Sequence, residues 1–258
     1  MSLSNRVAIV TGGSSGIGRG IAIELAREGA KVVVADLQEA PKTGKYYDTD
    51  LTTSTAEEIE RLGGEAAFIQ TDVADDGQVV RMIDQTVGQF GGLDILVNNA
   101  AIHIPADSQT MSLADWDRVT AVTYRAVFVA SKFAIPHLKD SSGGRIINIS
   151  SIHSKRGGGG PAYPSAKAAV VNLSRDLAVE LGKHGVTVNA ICPGMTETAI
   201  QDYLTPEQIE ECIAKTLLPR IGKPRDIARA CVFLASSDGE WITGTSLVVD
   251  GGWLASIM

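Results

Sequence analysis

The stretch VAIVTGGSSGIG, residues 7–18, decides the fold. Its first five residues form an apolar run that is typical of a buried strand, and an amphipathic pattern follows from residue 16 to about residue 29. Between them lies a turn rich in glycine, which lets the backbone approach a phosphate closely, while the start of a helix offers free N–H groups. Structural strand-to-helix turns also use glycine, but this position between strand and helix favours a nucleotide phosphate site.

Short β-branched runs alternate with amphipathic stretches along the rest of the chain. The runs predict strands at 7–11, 31–36, 66–70, 94–98, 145–149, 187–191 and 246–249. Helical patterns lie at about 16–29, 53–62, 76–90, 112–139, 162–183 and 224–236. This alternation predicts an α/β fold, a Rossmann-type doubly wound seven-stranded parallel sheet with helices on both faces. Because no long linker interrupts it, we expect residues 1–258 to form a single domain.

Composition narrows the class of protein. A formal net charge of -7 over 258 residues argues against a nucleic-acid partner, whose binding surface would be basic. No stretch approaches the roughly 18 apolar residues of a membrane span, and the N-terminus lacks a secretory layout. The three cysteines are odd in number and have no CxxC spacing. We therefore expect reduced thiols and a cytoplasmic protein that needs neither membrane nor nucleic acid.

Two segments interrupt the alternation of strands and helices. The loop after Asp36, LQEAPKTGKYYDTDLTT, is long for a connection between a strand and a helix. The second segment, 193–222, follows the carboxyl end of a predicted strand, which is where ligands bind in open α/β sheets. A mobile lid over a binding site is one interpretation of 193–222, and an ordinary surface excursion is the other.

Asp36 ends the second predicted strand and indicates which nucleotide is bound. A carboxylate at this place accepts hydrogen bonds from ribose hydroxyls and repels the 2′-phosphate of NADP. Neither Ser15 nor Leu37 is a basic residue that would attract that phosphate. The sequence therefore favours NAD, although an aspartate at a strand end can also be a simple turn residue. The pairs at 72–73 and 98–99 follow the next strands and are predicted to line the same edge.

Tyr163 and Lys167 lie four residues apart, one helical turn, and therefore share a face. A cation near a phenol favours the phenolate and lowers its pKa, as does the start of a helix. Pro161 and Pro164 fit only the first turn of a helix, which places Tyr163 there. A surface Tyr–Lys pair is the alternative. Ser151 lies twelve residues upstream, at a strand end, where its hydroxyl could orient a substrate oxygen.

Seven motifs occur in a fixed order along the whole chain. They are TGGSSGIG at 11–18, DV at 72–73, NNAA at 98–101, SS at 150–151, YPSAK at 163–167, VNAICPG at 188–194 and TGTSLVVDGG at 243–252. Together they resemble the short, single-domain branch of the short-chain dehydrogenase/reductase family.

The resemblance implies a role for each matched residue. Tyr163 would exchange a proton with the substrate oxygen while hydride moves to or from the nicotinamide. Lys167 would hold the nicotinamide ribose and tune Tyr163, and Ser151, rather than Ser150, would orient the substrate. No metal is implied, since the proton relay polarises the substrate oxygen, which a metal ion would otherwise do. Cofactor positions are Gly12, Ser14, Ser15, Gly16, Ile17, Gly18, Asp36, Asp72, Val73, Asn98, Ala100, Tyr163, Lys167, Pro193, Gly194, Thr196 and Thr198.

The resemblance also implies the reaction and its substrate class. We expect an NAD-dependent oxidoreductase acting on CH–OH donors, with a secondary alcohol or ketone as substrate. The stretch Ser150-Ser-Ile-His153 is similar to that of some sugar dehydrogenases and favours a polyol or sugar-like molecule, in a pocket that His103 also lines. A nucleotide-sugar epimerase or dehydratase fits poorly, because those relatives use another glycine spacing.

One departure from the family pattern supports an alternative function. Thr123 stands where the family usually carries the Asn that anchors a water in the proton relay. A catalytically weak NAD-binding regulatory or scaffold protein is therefore the alternative.

The predicted helices at 112–139 and 162–183 carry apolar residues on more than one face. The family pairs these helices between subunits, so we expect a homo-oligomer; a tetramer is favoured, and a dimer is the alternative. The apolar tail 253–258 is predicted to lie in an interface as well.

Overall fold

The computed structural model describes residues 2–256 and contains one sheet of seven parallel strands. The strands are β1 Val7–Thr11, β2 Lys31–Asp36, β3 Ala66–Gln70, β4 Ile95–Asn98, β5 Arg145–Ile149, β6 Thr187–Pro193 and β7 Ser246–Val249. Their order is β3-β2-β1-β4-β5-β6-β7, with every neighbouring pair parallel. The predicted α/β fold class is confirmed. Strand β4 begins one residue later than expected, and β6 continues two residues further.

Helices cover both faces of the sheet. They are α1 Gly16–Arg27, α2 Thr55–Arg61, α3 Asp76–Phe90, α4 Leu113–Thr120, α5 Ala126–Asp140, α6 Ala162–Leu181, α7 Pro206–Ala214, α8 Pro224–Ala235 and the short α9 Trp253–Ser256. On one face, α1, α2 and α8 pack against strand residues such as Val10 and Val34. On the other, α3, α5 and α6 pack against Ile9 and Val33. Since both faces are covered, the strands are continuous apolar runs and do not alternate with polar residues.

The strand order places one crevice at the centre of the sheet. β1 pairs with β2 on one side and with β4 on the other, so the chain reverses its direction of travel across the sheet there. In open α/β sheets such a switch point opens a crevice at the carboxyl ends of the strands. The glycine turn after β1 and the ends of β4, β5 and β6 all lie along this edge.

The helix predicted at 112–139 is interrupted, so that prediction is corrected. A π-helical turn, Ala121–Arg125, separates α4 from α5 and buries Thr123 completely. The main-chain N–H of Ile102 donates to the Thr123 hydroxyl (3.3 Å), which donates to the Ile102 carbonyl (3.4 Å). The wider turn gives this side chain room to bond the segment after β4. Single π-turns inside helices are frequent at functional sites.

The two irregular segments contact each other. Segment 193–222 leaves the sheet and returns at a parallel bridge between Thr196 and Gly222, and α7 lies within it. We call residues 37–54 the long loop; within the described chain it holds neither helix nor strand, as predicted. The amide of Lys45 in the long loop donates to Asp202 (2.9 Å), and the Tyr46 hydroxyl donates to the Leu204 carbonyl (3.1 Å).

None of the helices within residues 2–256 is both long enough and apolar enough to cross a membrane. Of the apolar tail 253–258, Trp253 is buried in the chain itself. The last two residues, 257 and 258, lie outside the described residues, so the tail interface stays a prediction there.

Candidate active site

The glycine turn is shaped by close backbone contacts. A β-carbon on Gly18 would lie 2.0 Å from the carbonyl oxygen of Gly12, so only glycine fits at position 18. The side-chain amide of Asn99 donates to the carbonyls of Thr11 (2.9 Å) and Gly12 (3.0 Å) and holds the turn from the β4 side. In the described structure Ser15 makes no side-chain cap bond to α1, which leaves the first N–H groups of the helix free for an anion.

Asp36 lies beside this turn with a fixed orientation. One carboxylate oxygen accepts from the amide of Ser14 (3.0 Å) and the other from the amide of Leu37 (2.8 Å). The Ser14 hydroxyl donates to the Gln38 carbonyl (2.8 Å), and the Ser15 hydroxyl accepts from the amide of Lys42 (2.7 Å). The long loop is therefore bonded directly to the turn. Asp36 remains partly exposed, as a group that binds ribose must be.

The residues after β3 and β4 have two different environments. Asp72 caps its own turn by accepting from the amide of Ala74 (2.9 Å), while Val73 and Ala100 line a cavity of about 10 Å3 together with Asn98. The side-chain amide of Asn98 donates to Asn148 in the core (2.8 Å). The side-chain nitrogen of Asn98 is thus engaged in the core and is not available to a cofactor, a distinction that the sequence pattern does not make.

The start of segment 193–222 packs against the glycine turn. A β-carbon on Gly16, whose φ is +51°, would lie 2.9 Å from the methyl group of Thr198. The Thr198 hydroxyl donates to the Thr196 carbonyl (3.3 Å), and the Thr196 hydroxyl donates to the Gly194 carbonyl (3.2 Å). Pro193 ends β6 just before them. The structure thus brings the predicted cofactor residues of β6 and of the turn to one edge.

Tyr163 is the second residue of α6, as its neighbouring prolines predict. Lys167 is buried, and its ammonium lies 5.6 Å from the centre of the Tyr163 ring. It donates to the carbonyl of Ile149 at the end of β5 (2.6 Å). This bond anchors the first turn of α6 to the strand that carries the two serines.

Burial dominates the electrostatics of this pair. It raises the pKa of Tyr163 to about 12, with a hydrogen bond to Ser151 acting in the opposite direction and Tyr203 adding to the rise. Burial also lowers the pKa of Lys167 to about 7. The prediction that Lys167 lowers the pKa of Tyr163 is wrong for this structure, because desolvation disfavours the charged form of both groups.

The two serines after β5 have separate partners. The Ser150 hydroxyl donates to the Lys167 carbonyl (2.8 Å) and is fully buried in that bond. The Ser151 hydroxyl accepts from the amide of His153 (3.1 Å) and lies near enough to the Tyr163 hydroxyl to lower the pKa of that phenol. The geometry thus favours Ser151 over Ser150 as the residue near the reacting atoms, as the resemblance implies.

Three further rings surround Tyr163. The centre of the His103 ring lies 5.2 Å from that of Tyr163 and 4.8 Å from that of Tyr203, and His153 lies 6.2 Å from Tyr163. Both histidines follow predicted strands and were expected in the pocket. Sequence reasoning did not single out Tyr203, for which its position inside segment 193–222 was the available signal. Asn99 was predicted only to line the same edge as Asn98, and the structure adds its two hydrogen bonds to the glycine turn.

Within residues 2–256 no group of three His, Cys, Asp or Glu side chains is placed to hold a metal ion. All three cysteines are free, with Cys192 and Cys231 buried.

A parallel sheet with a glycine turn after its first strand and a buried Tyr–Lys pair on the same edge is typical of dinucleotide-dependent oxidoreductases. The family model described as Enoyl-(Acyl carrier protein) reductase matches residues 12–254. The chain belongs to the short-chain dehydrogenase/reductase family, and it is an NAD(P)-dependent oxidoreductase.

Three relatives illustrate the range of this family. The 2,5-dichloro-2,5-cyclohexadiene-1,4-diol dehydrogenase LinX of Sphingobium indicum is 38% identical over 256 residues, covering 99% of this chain and 98% of its own. The 3-oxoacyl-(acyl-carrier-protein) reductase FabG of Staphylococcus aureus is 38% identical over 246 residues, 95% of this chain and 96% of its own. A crystal structure of a proposed NAD(P)-dependent gluconate 5-dehydrogenase from Beutenbergia cavernae, with NADP at low occupancy, is 36% identical and covers 98% of each chain with a TM-score of 0.89.

Proposed function

We propose that the protein is an NAD-dependent dehydrogenase that transfers a hydride between the nicotinamide and a secondary alcohol, with ketone reduction as the reverse. The observation that carries this proposal is the buried phenol of Tyr163, with Ser151 near enough to lower its pKa and buried Lys167 5.6 Å from its ring, on the same sheet edge as the glycine turn. The turn fits a dinucleotide, because Gly18 admits no side chain and the first amides of α1 are free.

The bound nicotinamide supplies the hydride acceptor or donor, and the protein handles the proton. Ser151 holds the substrate oxygen by a hydrogen bond, and Tyr163 exchanges a proton with that oxygen. Because its pKa is about 12 in the ligand-free protein, Tyr163 is protonated at neutral pH and is ready to act as the acid in ketone reduction. For alcohol oxidation it must first lose that proton, which requires positive charge close by. Lys167 supplies such a charge only in its protonated form, and burial lowers the pKa of Lys167 to about 7 in the ligand-free protein.

The preference for NAD over NADP rests on Asp36. Its carboxylate is fixed by two main-chain amides and partly exposed, so it accepts ribose hydroxyls and repels a 2′-phosphate. The solved relative from Beutenbergia cavernae holds NADP at low occupancy, so membership of the family does not by itself fix NAD as the cofactor. The remaining cofactor contacts that we propose are those assigned from the sequence, with Asn99 added as the residue that shapes the turn.

A polyol or sugar-like substrate is the proposed class. Its support is the pair of histidines beside Tyr163 and the two relatives whose names contain a diol and gluconate. The FabG relative acts on 3-oxoacyl groups carried by a protein, and such a substrate would need an open, apolar channel.

The alternative, a catalytically weak NAD-binding protein, rests on Thr123. Its hydroxyl makes two bonds to Ile102, which supports a working substitute for the family's asparagine and favours the enzyme.

We propose a cytoplasmic homotetramer made of one domain per chain. Free thiols support the reducing compartment. Exposed apolar side chains on α5 and α6, Phe128, Phe133 and Val179, support association through these helices.

Replacing Tyr163 by Phe tests the function. With NAD and a panel of secondary alcohols, we expect NADH formation by the wild type and a loss of at least about 100-fold in kcat for Tyr163→Phe. The affinity for NAD should change little, because the phenol oxygen alone is removed. Full activity of Tyr163→Phe, or no NADH from any alcohol with the wild type, would contradict the proposal.

A further inference from the structure

The long loop is fixed to the protein at both of its ends. Close to the end of β2, the Gln38 carbonyl accepts from the Ser14 hydroxyl (2.8 Å). At the start of α2, the guanidinium of Arg19 donates to the Thr53 carbonyl (2.9 Å) and to the Thr55 hydroxyl (3.1 Å). Arg19 is itself buried, so this end of the loop is firmly anchored. Any movement of the loop is therefore left to its middle.

The middle of the loop contacts the other irregular segment of the chain. We call residues 44–47 the loop tip. The amide of Lys45 donates to the carboxylate of Asp202 (2.9 Å), and the Tyr46 hydroxyl donates to the Leu204 carbonyl (3.1 Å). The two partners of each bond lie 157 and 158 residues apart in the sequence, so only noncovalent contacts keep the tip in place. The first of these bonds is exposed, where water replaces a lost hydrogen bond at little net cost.

Gly44 brings the backbone of the tip directly onto segment 193–222. Its amide donates to the Tyr47 carbonyl (3.1 Å), which closes a tight turn. A β-carbon on Gly44 would lie 2.6 Å from that carbonyl oxygen and 3.1 Å from both the Cα and the β-carbon of Ala199. The absence of a side chain therefore lets the turn close and lie flat on Ala199.

The loop also contacts the start of α1, where a dinucleotide phosphate is expected. The amide of Lys42 donates to the hydroxyl of Ser15 (2.7 Å), the residue that directly precedes the helix. Gly16, the first residue of the helix, lies against the methyl group of Thr198, whose neighbour in the chain packs under the tip. The loop, segment 193–222 and the start of α1 thus form a closed ring of contacts beside the free amides of the helix.

We propose that the loop tip is a latch on the cofactor crevice: while it is docked on segment 193–222 a dinucleotide can neither enter nor leave, and undocking of the tip limits the rate of both steps. This inference goes beyond the proposed function, because it concerns exchange of the dinucleotide and requires no hydride transfer.

A latch has a kinetic signature that a binding contact lacks. The bonds of the tip join one part of the protein to another and include no atom of the dinucleotide. Removing one of them therefore eases opening to the same extent whether the crevice is filled or not. Association and dissociation become faster by the same factor, and the equilibrium affinity is unchanged, because a contact that is equal in both states shifts no binding equilibrium.

The test measures association and dissociation of NADH by stopped-flow fluorescence in the wild type, Asp202→Ala and Tyr46→Phe, each of which removes one bond of the tip. We expect both rate constants to rise about 3- to 10-fold, the value of one hydrogen bond, and Kd to change by less than about twofold. Asp202→Asn, which keeps an acceptor oxygen, should restore much of the wild-type rates. Thr49→Ala changes an exposed position of the same loop outside the tip and should leave both rates unchanged.

The possible outcomes separate the latch from the proposed function. Unchanged rates in both variants, or faster dissociation with a proportionally weaker affinity, would overturn the latch while the dehydrogenase function stands. Rates that follow the expectation in a protein that oxidises no alcohol would support the latch and contradict the function. If NADH does not bind to the wild type, both proposals fail.

Amide hydrogen exchange locates the effect in the chain. The amides of Gly44 and Lys45 donate hydrogen bonds when the tip is docked, so we expect them to exchange faster in Asp202→Ala than in the wild type. The amide of Ser14, which donates to Asp36 in the glycine turn, should keep its wild-type rate and shows that the variant is folded. Tip amides that exchange equally slowly in both proteins would show that the tip stays docked, against the proposal.

Discussion

At the scale of single residues, Lys167 is a base whose pKa is lowered from 10.5 to about 7 by burial. Between these two values the unfolded chain binds a proton that the folded protein does not. Unfolding therefore takes up a proton in this window, and the free energy of unfolding rises with pH through it. The effect reverses the usual behaviour of a lysine that gains a partner on folding.

We predict that Lys167→Met removes this rise. In the ligand-free protein, the free energy of unfolding of the wild type relative to Lys167→Met should increase between about pH 7 and pH 9.5. Urea unfolding midpoints at the two pH values measure it. An equal pH dependence in both proteins would show that Lys167 is not desolvated in solution.

Thr123 gives the second prediction at this scale. Thr123→Val keeps the shape of the side chain but leaves the partly buried N–H and carbonyl of Ile102 without these bonds. We expect a loss of about 1–3 kcal/mol in stability and a lower kcat. Thr123→Asn restores the family's residue and should change kcat by less than about threefold, because Thr123 already holds Ile102. A large rise in turnover for Thr123→Asn would instead reveal a damaged relay and favour the weak-enzyme alternative.

At the scale of elements, the effect of replacing a glycine by alanine depends on where that glycine lies in the fold. A methyl group on Gly18 would meet the Gly12 carbonyl at 2.0 Å, whereas on Gly88, inside α3, it would meet no described atom within 4 Å other than its chain neighbours and the backbone of its own helix. The same substitution is therefore expected to have opposite effects at the two sites.

We predict that Gly18→Ala abolishes NAD binding or lowers its affinity at least about tenfold, because the turn must open to admit the methyl group. Gly88→Ala is the matched control and should stabilise the protein by about 0.5–1 kcal/mol, since alanine favours a helix. Isothermal titration with NAD and thermal unfolding measure the two effects. Normal NAD affinity of Gly18→Ala would show that the turn is not the phosphate site.

The sequence predicts these elements unevenly, for physical reasons. Buried parallel strands are continuous apolar runs, and the first turn of α6 is marked by its prolines, so β1–β7 and the place of Tyr163 were predictable. The π-turn at 121–125 was not, because it depends on a bond between Thr123 and a segment that lies 21 residues away. Likewise, the raised pKa of Tyr163 comes from burial, which no local motif encodes.

At the scale of the whole molecule, the apolar surface of α5 and α6 determines the expected assembly. Phe128 is 48% and Val179 86% exposed in the single chain, which is costly in water. Burial against a second copy of the same helices would remove this exposure and produce a symmetric contact.

We predict that Phe128→Glu together with Val179→Glu lowers the molar mass in solution from that of a tetramer toward smaller species, because like charges would face each other across the contact. Light scattering coupled to gel filtration measures it against the chain mass of 27.1 kDa. Leu62→Glu, an exposed leucine at the end of α2, is the control and should leave the mass unchanged. A wild-type monomer would contradict the proposal outright.

The long loop has a thermodynamic consequence for the two halves of the site. It bonds Ser15 at the phosphate turn through Lys42, and Asp202 in segment 193–222 through Lys45. A movement of the long loop would therefore change hydrogen bonds at both the glycine turn and segment 193–222. Because linkage is reciprocal, a dinucleotide that changes the substrate affinity beside Tyr203 through this loop has its own affinity changed by the substrate, by the same free energy.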